Sequence, residues 1–510
     1  MWTQALLNSI LIYGMVLALA FPSALLVSIA LSRTYLPGRR VLTILLFSTM
    51  AIPVYVQAGA WNSIFGEFGW WKLTQVGAIQ NGWWSGFAVC FIQTAYIFPW
   101  MTATLCYGLR HSNSSAEENA WLDTGVTRTL FRVTLPMLSP YILLSMLLAF
   151  ILLSTDMTVT NLYRVDTITE RFYQQASAGE INAQALAMPW LLGLSLLAIL
   201  AILAWYHGSF IDFALSSPRE QKRIHDREFK FPIPTSAMIL WGSLTWGAVL
   251  FLTLLPQLNL VWTTGLQSKS IGTNPEGFGT WSAMRLLVHL WQTPQEFSSE
   301  FGWSIYLGVC SATFWLASAL LFSFCWGYWG QRLWLQRIVA TMLLLLIFIP
   351  GPLAGLASIG LWNRNWPSFF GWLYDHTLTA PVTALGVRMF PLAIAALVIL
   401  RNLLPTACLE VAAVDGIAAW RLWFSWYMKN VQALFAAWIV LFLLSVADLS
   451  AILLVLPPGV TPISARIFEL LHYGVRYQES GICLFLSTAS MAGALIAYFL
   501  SVRSNSKSPF

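Results

Sequence analysis

Apolar residues run along this chain in stretches of about twenty, separated by short polar segments. A helix needs roughly 20 mostly apolar residues to cross a bilayer. Segments that meet this are 5–32, 41–60, 84–108, 139–156, 187–206, 236–256, 303–327, 338–361, 384–402, 431–455 and 481–501. The pattern predicts an all-α, polytopic membrane protein with about eleven transmembrane helices and its two ends on opposite sides. Cytoplasmic loops accumulate Lys and Arg. With the N-terminus outside, the cytoplasmic loops carry 18 of these residues and the external loops 8, while Arg388 falls inside a span. The reverse orientation inverts that ratio, so the expectation is N-terminus outside and C-terminus cytoplasmic.

Composition points the same way. A soluble domain carries roughly 25% charged residues; here 9% are charged, 58% are hydrophobic and 27 residues are tryptophan, with a mean hydropathy of +0.68. That much apolar surface needs lipid as its solvent. The net charge of +6 is then a topology signal and gives no reason to expect nucleic acid. Its densest run, "SPREQKRIHDREFKF" at 217–231, reads as a solvated cytoplasmic linker, a reading compatible with contact to anionic lipid headgroups. The start "MWTQALLNSI" has no basic region and no small-residue cleavage site, so it reads as a retained helix. Neither the six cysteines nor the six histidines show metal-ligand spacing. Trp70-Trp71 and Trp83-Trp84 suit an interfacial aromatic belt.

An internal duplication divides the spans. Ser9 and Ser304 are 295 positions apart, as are Ser23 and Ser318. Ile52-Pro53 matches Ile349-Pro350 at 297, Phe98-Pro99 matches Phe390-Pro391 at 292, and Leu152-Leu153-Ser154 matches Leu443-Leu444-Ser445 at 291. These ordered matches predict two homologous halves in parallel orientation, 1–216 and 236–510, joined by the linker 217–235. The repeat-matched prolines are expected to kink their spans. The span 236–256 has no partner in the first half.

Two polar stretches interrupt the apolar pattern at corresponding places, "AEENAWLDTGVTRTLFRVTLP" at 116–136 and "LEVAAVDGIAAW" at 409–420. In the second, Glu410 and the alanines favour helix, and Asp415-Gly416 is a turn signal that ends it. An amphipathic run then follows from Trp420 to Tyr427. The prediction is a pair of short helices at an angle at the membrane surface.

On these residues the chain resembles the membrane-spanning permeases of binding-protein-dependent ABC importers. The family's cytoplasmic signature reads E-A-A, three residues, G, nine residues, I-x-L-P. Glu410, Ala412 and Gly416 match it at the family's spacing, with Val411 for the first alanine, and Ala413 and Asp415 lie within it; the closing I-x-L-P is absent. The first copy keeps Val133-Thr134-Leu135-Pro136 but blurs the head: Glu117 takes the glutamate place and Asp123 the glycine place, with Glu118 and Ala120 between them and Gly125 two positions late. The resemblance implies a type I importer permease fold with coupling loops at 111–138 (degenerate) and 404–430. It implies as partners two copies of a separate ABC ATPase subunit and a periplasmic or extracellular solute-binding protein. This chain would bind no cofactor, ATP-Mg being held by the ATPase; a GxxxxGK[ST] phosphate loop is absent from the sequence. The chain would sit in the bacterial inner membrane and be a transport subunit, not an enzyme.

A narrower resemblance covers 441–474, with its Pro-Pro-Gly loop and Arg466-Ile467-Phe468, and the matching 156–175. These look like the double-length permeases associated with ferric-iron uptake; thiamine, phosphonate, sulfate and polyamine permeases share the fold. Asp156 and Asp448 follow the two "LLS" motifs, and an intramembrane carboxylate usually faces the bundle interior or water. Facing each other, they would suit a hard cation in transit. The plainer reading is a helix-end carboxylate bonded to a neighbouring Ser or Thr. The external segments 157–186 and 257–302 are the candidate contacts for a binding protein. A secondary transporter is the chief rival and would need a coupling-ion site; a lipid-linked-sugar flippase or membrane glycosyltransferase would need an external domain with paired carboxylates.

Overall fold

The computed structural model describes residues 2–65, 83–112, 114–180, 186–188, 190, 229–231, 234–266, 280–329, 333–364, 368–404, 406–473 and 476–506. Among the described residues the regular structure is helical, apart from one isolated bridge between Leu266 and Trp281. Seven helices are long and apolar enough to cross a membrane, and ten spans result if each of three bent helix pairs counts as one. This is a polytopic helical membrane protein. The expected span 187–206 lies almost wholly outside the described residues, as does most of the linker 217–235, and Trp70-Trp71, His207 and His225 lie wholly outside them.

In chain order the helices are α1 (Trp2–Arg33), α2 (Arg39–Thr49), α3 (Val54–Phe65), α4 (Trp83–His111) and α5 (Ser114–Thr124). Next come α6 (Val126–Thr155), α7 (Thr158–Leu162), α8 (Ile168–Ser177), α9 (Thr235–Gly265) and α10 (Ala283–Glu296). Then follow α11 (Ser298–Trp329), α12 (Leu333–Ile347), α13 (Gly351–Trp362), α14 (Ser368–His376) and α15 (Thr379–Asn402). The last are α16 (Thr406–Val414), α17 (Ala419–Lys429), α18 (Val431–Ala447), α19 (Ile463–Tyr473) and α20 (Arg476–Ser506).

Three expected spans need correction. Segments 41–60 and 338–361 are not single straight helices: α2 and α3 meet at 105°, and α12 and α13 at 103°. Both breaks fall at the repeat-matched Ile52-Pro53 and Ile349-Pro350. Proline has no N–H to donate and pushes the residue before it out of the helical region, so the ladder stops there in both halves. Pro99 and Pro391, by contrast, lie inside the unbroken α4 and α15. The third is 431–455: α18 ends at Ala447, and Asp448 is extended.

Two bonds recur at the same separation in the two halves of the chain. The Ser9 hydroxyl accepts from the Ile168 N–H at 3.0 Å, and the Ser304 hydroxyl accepts from the Ile463 N–H at 2.7 Å, each across 159 residues. Each serine lies on a long span, α1 or α11, and ties down the start of a short helix, α8 or α19, that follows the span ending in an aspartate. The halves also exchange elements: α3 packs on α19 of the second half, and α13 packs on α8 of the first. One core cluster belongs mainly to each half, and another joins Ile52, Tyr55 and Val56 to Leu449, Ile463 and Cys483. The Tyr55 hydroxyl donates to the Val446 carbonyl at 3.1 Å across that seam.

Close helix packing depends on Gly386 of α15, which lies directly under the Trp315 ring of α11. Trp315 is held in place by its Nε1–H bond to the Val382 carbonyl at 2.8 Å. A methyl group at Gly386 overlaps that ring, so Gly386→Ala is expected to destabilise the protein by about 1–3 kcal/mol. Gly360→Ala, with no atom within 4 Å of the new methyl, is expected to be neutral. Thermal unfolding in detergent distinguishes the two.

Candidate functional site

The two paired-helix elements occupy equivalent places, and each turns on a glycine. Gly416 has φ +64°, with the Ile417 N–H bonded to the Ala412 carbonyl at 2.9 Å and the Gly416 N–H to the Ala413 carbonyl at 3.3 Å. This is a Schellman ending, in which a left-handed residue lets the last carbonyls be satisfied. In the first copy the turn falls at Gly125, φ +79° and ψ 171°, while Asp123 stays inside α5. Gly125, two positions late in the family's spacing, therefore makes the turn that Asp123 was matched to. Val126–Thr155 then continues through a π segment at Leu130–Thr134, just before Leu135 and Pro136. The corresponding α17 and α18 are bent by 78°.

The two elements are anchored by different chemistry. Glu117 is fully buried, and its Oε2 lies 2.8 Å from the Arg33 Nε at the end of α1. Arg33 also donates to the Leu109 carbonyl at 2.6 Å. Burial pushes the Glu117 carboxyl above its ordinary range, and the Arg33 charge opposes that rise. Glu410, at the equivalent place, is exposed, as are Glu118, Asp415 and Ala413, whereas Ala412 is buried. The second element is held through aromatics instead. Tyr427 is 1% exposed and bonds Ser323 of α11 at 2.8 Å. Trp426 donates to the Leu400 carbonyl at 3.0 Å, and the Arg401 guanidinium lies 4.2 Å over the Trp423 ring. Leu109 and Leu400 are 291 positions apart, so one carbonyl is capped in both halves, by arginine in the first and by tryptophan in the second.

The two aspartates sit where α6 and α18 end, both largely buried. Asp156 Oδ1 accepts from the Thr158 N–H at 3.0 Å and Oδ2 from the Val159 N–H at 3.4 Å. Asp448 Oδ1 accepts from the Ala451 N–H at 3.2 Å and the Ser450 hydroxyl at 3.1 Å. Both therefore cap the turn that follows their span. Asp448 Oδ2 is paired with Arg388 Nη1. Arg388 Nη2 donates to the Thr155 carbonyl of the first half at 3.5 Å and to the Ser450 hydroxyl at 3.3 Å. Tyr96 stands 292 positions before Arg388, as Asp156 stands before Asp448; the duplicated pattern differs by one cation. Among the described residues no group of three His, Cys, Asp or Glu side chains is placed to hold a metal ion.

A second seam network lies beyond the spans. Glu170 Oε1 accepts from Asn161 Nδ2 at 2.6 Å and Gln174 Nε2 at 2.8 Å. His472 Nε2 of α19 lies 2.8 Å from Asn161 Oδ1, which joins the halves. Sequence reasoning missed Arg33, Glu170 and the pairing of Arg388; only Arg388 carried a signal, as the one basic residue inside an expected span. No protein-family profile, curated protein or solved structure matches the chain.

The buried groups at the seam give measurable consequences. Removing one partner of a buried ion pair costs about 3–5 kcal/mol, so Arg388→Met is expected to lower the unfolding midpoint sharply, and adding Asp448→Asn to restore much of it. Burial pushes the Glu170 carboxyl up to about 7 from 4.5, opposed by its hydrogen bonds to Asn161 and Gln174. An acid with a raised folded value favours the native state at low pH and loses that contribution as pH rises through the folded value. Stability is therefore expected to fall between pH 4.5 and about 7, by about 3 kcal/mol, and Glu170→Gln to flatten that slope in melts across the window.

Proposed function

We propose that this protein is the membrane-spanning permease of a binding-protein-dependent ABC importer in a bacterial inner membrane. Two separate ATPase subunits grip α5 with the start of α6, and α16 with α17. The carrying observation is the doubled framework: the same Ser–Ile bond, the same proline break and the same glycine-turned helix pair recur in both halves. A motor that closes symmetrically needs two such handles on one side, and the loop charge is consistent with the cytoplasm. The second handle offers an apolar face, with Val411, Val414, Ile417 and Trp420 exposed, suited to a groove on a partner protein. ATP-driven closure would move both handles, rock the halves about their pseudo-twofold axis and open the bundle towards a docked external binding protein.

Ferric iron is the proposed cargo on the resemblance of 441–474 and 156–175. A small anion such as sulfate or phosphonate is the second reading, favoured by Arg388, which brings a guanidinium to the seam beside Asp448. A secondary transporter would need a coupling-ion site, for which Asp156, Asp448 and Arg388 are the candidates.

Affinity purification from native membranes is expected to bring down a nucleotide-binding subunit at about two copies per chain, and deletion of 409–416 to weaken that association. A preparation that carries none rejects the importer reading. With vesicles containing the whole assembly, Asp156→Asn combined with Asp448→Asn and Arg388→Met, which leaves no buried guanidinium unpaired, is expected to abolish uptake of iron while ATP hydrolysis persists.

A further inference from the structure

We propose that α10 is an interfacial helix, lying flat at the outer edge of the bilayer with one apolar face in the lipid. Three stripes run along its 14 residues, about a third of a turn apart at 3.6 residues per turn. Leu286, Leu290, Thr293 and, just past the end, Phe297 face the protein: the two leucines pack on the seam cluster, and Thr293 and Phe297 are buried. Arg285, His289, Gln292 and Glu296 form a polar stripe, in which Gln292 and Glu296 are exposed. Met284, Leu287, Val288 and Trp291 form the third, and all four are exposed, Leu287 at 62% and Trp291 at 75%. Packing on the core accounts for the first stripe alone, so the second apolar stripe needs another neighbour.

The helix is fastened at both ends to the level where α9 stops. At its start the Ser282 N–H bonds the Gly265 carbonyl at 3.0 Å, beside the bridge between Leu266 and Trp281. Near its end, a methyl group on Gly481 of α20 would meet the Thr293 hydroxyl at 3.0 Å and the Thr264 side chain at 4.0 Å, so both threonines flank one point. A helix of 14 residues is about 21 Å long. Tied at both ends beside residues 264–266, it crosses α9 and α20 rather than running along them. α11 starts two residues after α10 ends, so α10 joins two spans at the side that loop charge assigns to the exterior.

The outer apolar face continues the lipid-facing ridge of a span. Phe251, Leu255, Leu258 and Trp262 are exposed at intervals of four, three and four residues along α9, the stripe that one side of a helix presents. Trp262 stacks on Trp281, with ring centroids 6.2 Å apart and planes at 12°, and Trp281 leads into Met284 and Leu287. Tryptophan concentrates at the membrane–water boundary. A flat helix there sinks its apolar face among the acyl chains and keeps its polar face in water. A soluble partner approaching from the aqueous side meets Arg285, Gln292 and Glu296 instead, so within 257–302 the polar stripe is the surface left to a binding protein. The inference rests on membrane insertion alone and is independent of the importer reading.

The test replaces Leu287, Trp291, Gln292 or Glu296, one at a time, by the photoreactive residue p-benzoylphenylalanine in the full-length protein. Each variant is illuminated in nanodiscs of phosphatidylcholine and phosphatidylglycerol, and adducts are read by mass spectrometry. Positions 287 and 291 are expected to yield phospholipid adducts on glycerol and upper acyl carbons, since the apolar face of such a helix sinks about 5–10 Å into that boundary. Positions 292 and 296 are expected to yield none. Leu258 of α9, 54% exposed, is the positive control for a lipid-facing side chain. Should the Trp291 variant fold poorly, position 287 reads the same face. With adducts at 258, their absence at 287 and 291, or equal yields at all four positions of α10, overturns the proposal. In native membranes, a protein adduct at 287 or 291 in place of lipid overturns it in favour of a docked partner.

Discussion

A peptide group in hydrocarbon has no water to bond, and an unpaired one costs several kcal/mol. The departures from continuous helix in this protein are accordingly tied to side chains that complete the backbone. Asp156 and Asp448 bond the N–H groups freed where α6 and α18 stop. Ser9 and Ser304 take the first N–H groups of α8 and α19. The breaks at Pro53 and Pro350 fall where proline has no donor to orphan. Helices that break at corresponding places need caps at corresponding places, and the residues 291 to 297 positions apart include serines, prolines and capping aspartates.

The same constraint explains where the halves have been free to diverge. Leu109 and Leu400 present carbonyls at the ends of α4 and α15, and any donor of the right reach will serve. The first half uses Arg33, whose charge then requires Glu117 beneath it. The second uses the indole of Trp426, which carries no charge, so Glu410 has been left in solvent. At the seam, Asp156 is bonded by the N–H groups of the turn it caps, whereas Asp448 has an added Arg388. Polar satisfaction is kept in form, and the groups that supply it are not.

Much of this is legible along the chain because hydropathy, proline and glycine act locally. The Gly416 turn follows from neighbouring residues, as do bends at Pro53 and Pro350, although the same reading puts kinks at Pro99 and Pro391, where α4 and α15 run unbroken. Hydropathy overestimates the length of 431–455 because apolar character resumes past Asp448 in Ile452, Leu453 and Leu454, and a hydropathy pattern cannot see that a buried carboxylate has ended the helix. Matching the family's spacing puts the first turn two residues early, at Asp123, because spacing does not ask which residue tolerates positive φ. What no local signal carries is pairing across a fold: Arg33 with Glu117, or Arg388 with the Thr155 carbonyl, joins positions 84 and 233 apart.

That divergence bears on how force would pass through the bundle. Glu117 hands a displacement of α5 to the end of α1 through one short, directional ion pair, buried so completely that parting it exposes two charges to a low dielectric. Tyr427, Trp426 and Trp423 join α17 to α11 and α15 through ring packing and two neutral hydrogen bonds. In the importer proposed above, the two handles would reach corresponding spans, α1 and α11, through joints of different chemistry. A push on the first side would act on an ion pair, and a push on the second on ring packing at the 78° bend between α17 and α18.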